Sequence, residues 1–431
     1  MTRTLDDWLD YQQRIHPRAV ALGLDRVGEV WQALGAPRGA PTVVTVAGTN
    51  GKGSTVAFLE AIFAESGLRV GAYTSPHLLR YNERVRVEGA EAPDAALIDA
   101  FARIEAARGD IELTYFEFGT LAALLVFETA KLDVALLEVG LGGRLDAVNI
   151  VDTDAAIVTT VDLDHMDWLG ADRDAIASEK AGIFRAGRPA VIGERSPPTP
   201  LIAHALAIGA RIVRSGVDYR YSRRADGWSL ALRASTTLAL PHPTLAAPSQ
   251  YDNAAVAIAA IHALPREHVP FDPAAIARGV ARASLPGRLQ TIRTSPDVIV
   301  DVGHNPQAAR ELGAWLAANR ARFRRVHAVF AALADKDLAG IVAALAGAFD
   351  AWHLAGLERE SPRGADIATL VARTREALGG RPCSAHTDVA SALEAALASA
   401  APDDLVLAFG SFYTVAATLR ELAPERASRT V

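Results

Sequence analysis

The chain of 431 residues carries a single cysteine, Cys383. An internal disulfide and a cysteine-based zinc site are therefore excluded, which fits a reducing compartment. Cys383 lies in a Pro-Cys-Ser stretch with no motif around it and is expected to be structural. Aromatic residues make up only 6%. The excess of alanine over them predicts many closely packed helices, although a GC-rich genome gives the same bias. No run approaches the ~18 apolar residues needed to span a bilayer. The N-terminus, MTRTLDDWLDYQQ, lacks the basic start and apolar run of a signal peptide. A long basic run is also missing and the net charge is −6, which argues against nucleic acid or an anionic membrane as partner. The expectation is a cytoplasmic monomer acting on small molecules.

Half of the residues are hydrophobic and 22% are charged, the balance of a globular protein. The length suggests two domains or three. Thr42–Ala47 is apolar and β-branched and runs into a glycine-rich loop. Ser54–Ser66 follows with Val56, Leu59, Ile62 and Phe63 on one helical face, and Arg69–Tyr73 is a second strand. This β-loop-α-β start predicts a parallel sheet covered by helices. Further strands are predicted at Val134–Val139, Ala155–Val161 and Pro189–Ile192, with helices over Thr114–Lys131 and about Asp172–Phe184. Between Ile212 and Leu240, alternation over Tyr219–Ser222 and Trp228–Leu232 predicts a small antiparallel appendage. Helices resume at Tyr251–Leu264 and Pro273–Ala283. Ser284–Arg288 is the predicted hinge. Beyond it, strands Val298–Val302, Val326–Ala331, Ala351–Leu354 and Leu405–Phe409 alternate with helices. The fold class is α/β: a P-loop ATPase-like parallel-sheet domain over 1–285 with the β appendage, and a smaller Rossmann-like domain over 286–431.

The sharpest local signal is Val46-Ala47-Gly48-Thr49-Asn50-Gly51-Lys52-Gly53-Ser54. It follows a strand and opens a helix, the context a phosphate loop requires. Glycines let backbone N–H groups approach phosphate oxygens, the helix N-terminus adds positive charge, and Lys52 can reach the β- and γ-phosphates. The spacing departs from the common loop: Val46 stands in place of the first glycine, and Gly53 separates Lys52 from Ser54. Glu138 ends a predicted buried strand at its carboxyl edge, where a carboxylate is costly without a cation. Taken alone, His165 reads as structural, Lys180 as a solvated helix lysine, and Tyr115 and Phe116 as core.

The Gly-Thr-Asn-Gly-Lys-Gly-Ser loop resembles that of the Mur-ligase superfamily, and most closely the folylpolyglutamate synthase/dihydrofolate synthase family. The resemblance continues in order through Thr74–Leu78, Tyr81–Val85, Glu138–Ala147, Asp164-His165, Ser178–Ile183, Pro286–Arg288 and Asp301–Pro306. Asp7–Val27 and Leu113–Leu121 point to the bifunctional bacterial type. The resemblance implies ATP held by Thr49, Asn50, Gly51, Lys52, Gly53, Ser54, Asn253, Arg288 and Asp301. Tyr251 departs from many relatives near Asn253. It implies one or two magnesium ions on Ser75, Glu138, His165 and a carbamylated Lys180, and it admits a monovalent cation. Lys52, Lys180 and His304 would be catalytic. Dihydropteroate would lie among Leu22, Gly23, Leu24, Asp25, Thr114, Tyr115, Phe116, Glu117, Leu145, Asp146 and Ala147, with Gly142 and Gly143 freeing a loop to close over it.

The implied reaction joins L-glutamate to dihydropteroate and to reduced folates through an acyl phosphate, in a cleft between the domains that closes to exclude water. Two rivals share the loop. A murein-type ligase would need a UDP-binding N-terminal domain, yet only about 40 residues precede the first strand. A non-catalytic ATP-binding scaffold would not need Lys52, Glu138, His165 and Lys180 together.

Overall fold

The computed structural model describes residues 3–16, 21–233, 236–267 and 269–422; parts of the Asp7–Val27 match and of the predicted appendage thus lie outside the described residues. The chain forms two compact units. The first comprises the residues up to His77, Tyr81–Thr244 and Gln250–Ser284; the second comprises Leu78–Arg80, Leu245–Ser249 and the chain from Leu285.

The first unit is built on an eight-stranded sheet: β1 (Thr42–Ala47), β2 (Val70–Tyr73), β3 (Val85–Val87), β4 (Ala90–Glu91), β5 (Val134–Glu138), β6 (Ala155–Val158), β7 (Pro189–Ile192) and β8 (Arg211–Arg214). Their spatial order is β4-β3-β2-β5-β1-β6-β7-β8. Only β3 runs against the others, antiparallel to both β2 and β4. All six residues of β1 are buried, as expected of a parallel strand with both faces covered. The helix Lys52–Glu65 packs against the helices Gln250–Ala263 and Pro273–Arg282. The appendage is a three-stranded antiparallel sheet of β9 (Tyr219–Arg224), β10 (Gly227–Leu232) and β11 (Thr237–Leu240). It starts later than predicted. Arg211–Arg214 pairs in parallel with β7 and ends the main sheet, where its two arginines suit an edge strand.

The second unit has a six-stranded sheet of β12 (Gln290–Arg293), β13 (Asp297–Asp301), β14 (Val326–Phe330), β15 (Ala351–Ala355), β16 (Cys383–His386) and β17 (Leu405–Phe409), in the order β12-β13-β17-β14-β15-β16. All but β12 run parallel. Asn305, Asp337, Asp366 and Asp388 each cap the helix that follows, accepting a backbone N–H with the side chain. Cys383, expected to be structural, is exposed on the edge strand β16.

Candidate active site

The phosphate loop leaves β1 at the centre of the first sheet, between β5 and β6. Gly48 has φ +149° and Gly51 φ +85°, so both need a residue without a Cβ. A Cβ at Gly48 would lie 1.8 Å from Thr159 Oγ1, and one at Gly51 would lie 2.4 Å from Asn253 Oδ1. Asn253 therefore stands against the loop. The loop is tied to the chain after β6: Thr49 N–H donates to Thr160 O (2.9 Å), Asn50 N–H to Thr160 Oγ1 (3.0 Å) and Thr49 Oγ1 to Asp162 O (3.0 Å). Lys52 Nζ donates to Gly48 O (3.0 Å) and Thr49 O (3.2 Å). Its ammonium thus folds back over the loop, and the helix that begins at Lys52 aims its N-terminus there.

The register of β1 and β5 sets Glu138 beside Val46, two residues before Gly48. Glu138 is buried and accepts the Ser75 N–H at 3.1 Å. Lys180, on the helix Arg173–Ala181, is only 3% exposed. Burial, and secondly the charge of Lys52, pull its pKa down to about 7, while Asp164 and Asp146 oppose this. Asp146 is also buried and is pushed up to about 7 by desolvation, against the N–H groups of Leu141, Val148 and Gly140 and the charge of Lys52. An amine and a carboxyl, both displaced toward neutrality, thus share the field of the phosphate-loop lysine. Such paired displacement marks a place for chemistry.

His165 starts the one-turn helix Met166–Leu169 from a left-handed backbone (φ +51°). Its side chain is 37% exposed, with Nε2 3.9 Å from Asp164 Oδ1. Among the described residues, no three His, Cys, Asp or Glu side chains converge as a metal cage. The predicted donors contain only two of these types, Glu138 and His165. A buried carboxylate next to a serine suits a magnesium-like ion that keeps several waters and takes phosphate oxygens.

Thr114 caps the helix Tyr115–Ala130 in a capping box with Glu117. Glu117 also takes Arg26 Nη2 at 3.0 Å, so its carboxylate holds the wall together. Tyr115 and Phe116, read as core from the residues alone, are only half-buried on the rim of that core. Gly23 N–H reaches Leu145 O at 3.3 Å, which joins the Leu22–Asp25 segment to the Leu145–Ala147 segment. The expected freedom of the glycine loop is not found. A Cβ at Gly140 would lie 2.6 Å from the Phe116 ring, one at Gly143 3.0 Å from Glu179 O, and one at Gly182 2.4 Å from Arg144 Cβ. Arg144 N–H donates to Glu179 O (2.8 Å) and its side chain pairs with Glu179 Oε1 (2.7 Å). The glycines here allow contact, and the loop is fastened. Asp146 and Ala147 are buried beneath it.

In the second unit, Asp301 accepts N–H bonds from Leu289 (3.0 Å) and Gly303 (2.8 Å). Burial raises its pKa, and Arg288 then lowers it. Arg288 lies over the Phe412 ring. His304 Nδ1 sits 3.0 Å from Val302 O; a carbonyl only accepts, so Nδ1 carries a proton. Sequence reasoning missed Asp164 and Asp162 as parts of the site. Asp164 stood in the matched Asp164-His165 block, and Asp162 only in the loop just after β6.

Comparison with known proteins places this arrangement. A model of the Mur ligase middle domain matches residues 46–226, and one of the Mur ligase glutamate ligase domain matches 287–412. Dihydrofolate synthase/folylpolyglutamate synthase of Escherichia coli is 47% identical over 98% of this chain and 96% of its own length. The like-named protein of Haemophilus influenzae is 40% identical over 96% and 97%. E. coli FolC in complex with DHPP and ADP superposes with a TM-score of 0.91 at 47% identity, covering 98% of this chain and 99% of its own. A bifunctional folylpolyglutamate synthase/dihydrofolate synthase with Mn, AMPPNP and L-glutamate bound gives 0.89 at 46% identity, covering 98% of each chain. This chain belongs to the dihydrofolate synthase/folylpolyglutamate synthase family of Mur ligases.

Proposed function

We propose that this chain is an ATP-dependent ligase that joins L-glutamate to dihydropteroate, giving dihydrofolate, and to tetrahydrofolate, giving γ-linked polyglutamates. The observation that carries this reading is the Lys180–Asp146 pair in the field of Lys52, at the end of β1 where the phosphate loop begins. A carboxylate oxygen of the substrate attacks the γ-phosphorus of ATP, and ADP leaves. The acyl phosphate formed is attacked by the glutamate amine at its carbonyl carbon. The tetrahedral intermediate collapses to the amide and expels phosphate. Lys52 neutralises charge on the transferring group, and the helix N-terminus at Lys52 holds the phosphates.

Ser75, Glu138 and His165 would hold a magnesium ion, which supplies charge neutralisation for phosphoryl transfer. Lys180 supports a further role. With a pKa near 7, its amine is unprotonated in a large fraction of molecules at neutral pH and can add carbon dioxide. The carbamate restores an anion beside Lys52. Thr49–Ser54 and Asn253 are the nucleotide contacts in the first unit and Arg288 and Asp301 those of the second, where His304 is catalytic. Leu22–Asp25, Thr114–Glu117 and Leu145–Ala147 are the dihydropteroate walls. The enzyme acts as a cytoplasmic monomer on small molecules; among the described residues no helix is long and apolar enough to cross a membrane.

Phosphate release decides the reading, assayed in parallel with dihydropteroate, tetrahydrofolate and a murein precursor, with and without glutamate. Glutamate-dependent release with the first two alone is expected. Release with the murein precursor would assign a different substrate, and release with dihydropteroate alone would remove the second activity.

A further inference from the structure

Two arginines stand two residues apart in the Tyr81–Val87 segment and are treated differently. Arg86 has a carboxylate: it meets Glu60 at 2.7 Å and also bonds Thr74 and Glu83 O. Arg84 has none. It is 9% exposed, and among the described residues its side chain makes one hydrogen bond, from Nε to His77 Nδ1 at 2.8 Å. Its guanidinium carbon lies 5.5 Å from the Tyr81 ring centre and 5.4 Å from that of Tyr115. A buried guanidinium is costly unless an anion answers it. Two aromatic faces and a neutral imidazole do not cancel its charge.

The surroundings point the group toward the substrate. Tyr115 belongs to the half-buried wall described above. Tyr73, directly in the field of Arg84, is also in the field of Asp146, which in turn feels Lys52. Arg84 therefore flanks the same site at a remove from the phosphate loop. His77 fixes the fork by accepting from Nε, which leaves both terminal nitrogens for a ligand, and neither is sealed in the interior. A planar fork with two parallel N–H donors matches a carboxylate.

We infer that Arg84 binds a carboxylate of a substrate, one that is not the carboxylate being phosphorylated. The inference rests on the ligase reading, which gives two sources for such a group. The incoming glutamate brings carboxylates to both reactions. The glutamyl tail of tetrahydrofolate carries an α-carboxylate that does not react, and dihydropteroate has no counterpart to it.

The test compares wild type with Arg84→Gln and Arg84→Lys. KM is measured for ATP, glutamate, dihydropteroate and tetrahydrofolate, alongside calorimetric binding of L-glutamate and tetrahydrofolate. A rise in KM for glutamate of about tenfold or more in both reactions, with that for ATP changed less than twofold, identifies the incoming amino acid. A similar rise for tetrahydrofolate alone identifies the folate tail. In either case Arg84→Lys recovers part of the loss. Unchanged KM values with only a lower melting temperature would make Arg84 structural and overturn the inference. A wild type without turnover, but with Arg84-dependent binding, would sink the ligase reading and spare the carboxylate site.

Discussion

Two glycine-rich loops of the first unit look alike on paper and differ in what surrounds them. In Gly48–Gly51 the glycines supply left-handed backbone at φ +149° and +85° and bring the chain against Thr159 and Asn253. In Gly140–Gly143 and at Gly182 the missing side chains let segments touch: Phe116 closes on Gly140, and Arg144 closes on Gly182. Both loops close on other parts of the protein, and the first also opens the helix that begins at Lys52. A run of glycines thus states only that side chains are unwelcome. What occupies the space has to come from neighbours far away in sequence.

The largest separation between the two loops is expected from Lys52→Ala. It removes the cation over the first loop, and turnover should fall by roughly 10³-fold or more with folding intact; phosphate release and thermal melting measured together would show this. Lys180→Ala comes next, removing the amine beside the second loop. Wild type should show a ¹³C signal from labelled bicarbonate that the variant lacks, and its activity should drop in carbon-dioxide-free buffer. A wild type with no such signal would end the carbamate assignment.

Gly182→Ala tests the packing role. Its Cβ would meet Arg144 backbone at 2.7 Å, a contact that costs about 1–3 kcal/mol when a packed interior is overfilled. The denaturation midpoint should fall while the KM for ATP stays within about twofold. Asp146→Asn tests the charge beneath that loop. Burial raises the folded pKa to about 7 from 3.8, so the folded state keeps a proton that the unfolded chain releases. Its contribution is fully present below pH ~4 and is lost as pH rises through ~7, by at most about 4 kcal/mol. The variant should show a flatter dependence of urea midpoint on pH between 4 and 8.

The same contrast explains what was legible in the sequence. The Thr42–Ala47 strand, the loop and its helix carry their cause in neighbouring residues: β-branched runs, glycines and one lysine. The short strands Val85–Val87, Gln290–Arg293 and Cys383–His386 do not. They are brief and polar, and they exist because an adjacent strand offers an edge. Arg211–Arg214 was placed in the appendage for the same reason. Within the site, Lys52 and Glu138 could be read from position. Tyr115 and Phe116 could not, because an apolar helix face looks the same whether it meets a core or a rim. The burial of Arg84 and the field of Asp164 at Lys180 were silent because both are properties of three dimensions.

The strand that carries the phosphate loop lies between two strands that come much later in the chain. Thr49 and Asn50 are tied by hydrogen bonds to Thr160 and Asp162. During synthesis, a chain that has just left Ser54 behind therefore has the letters of a nucleotide site without its walls. Roughly a hundred further residues must emerge and insert on both sides of β1 before that site can assemble. A truncated product ending before Thr160 would carry the motif and bind nothing.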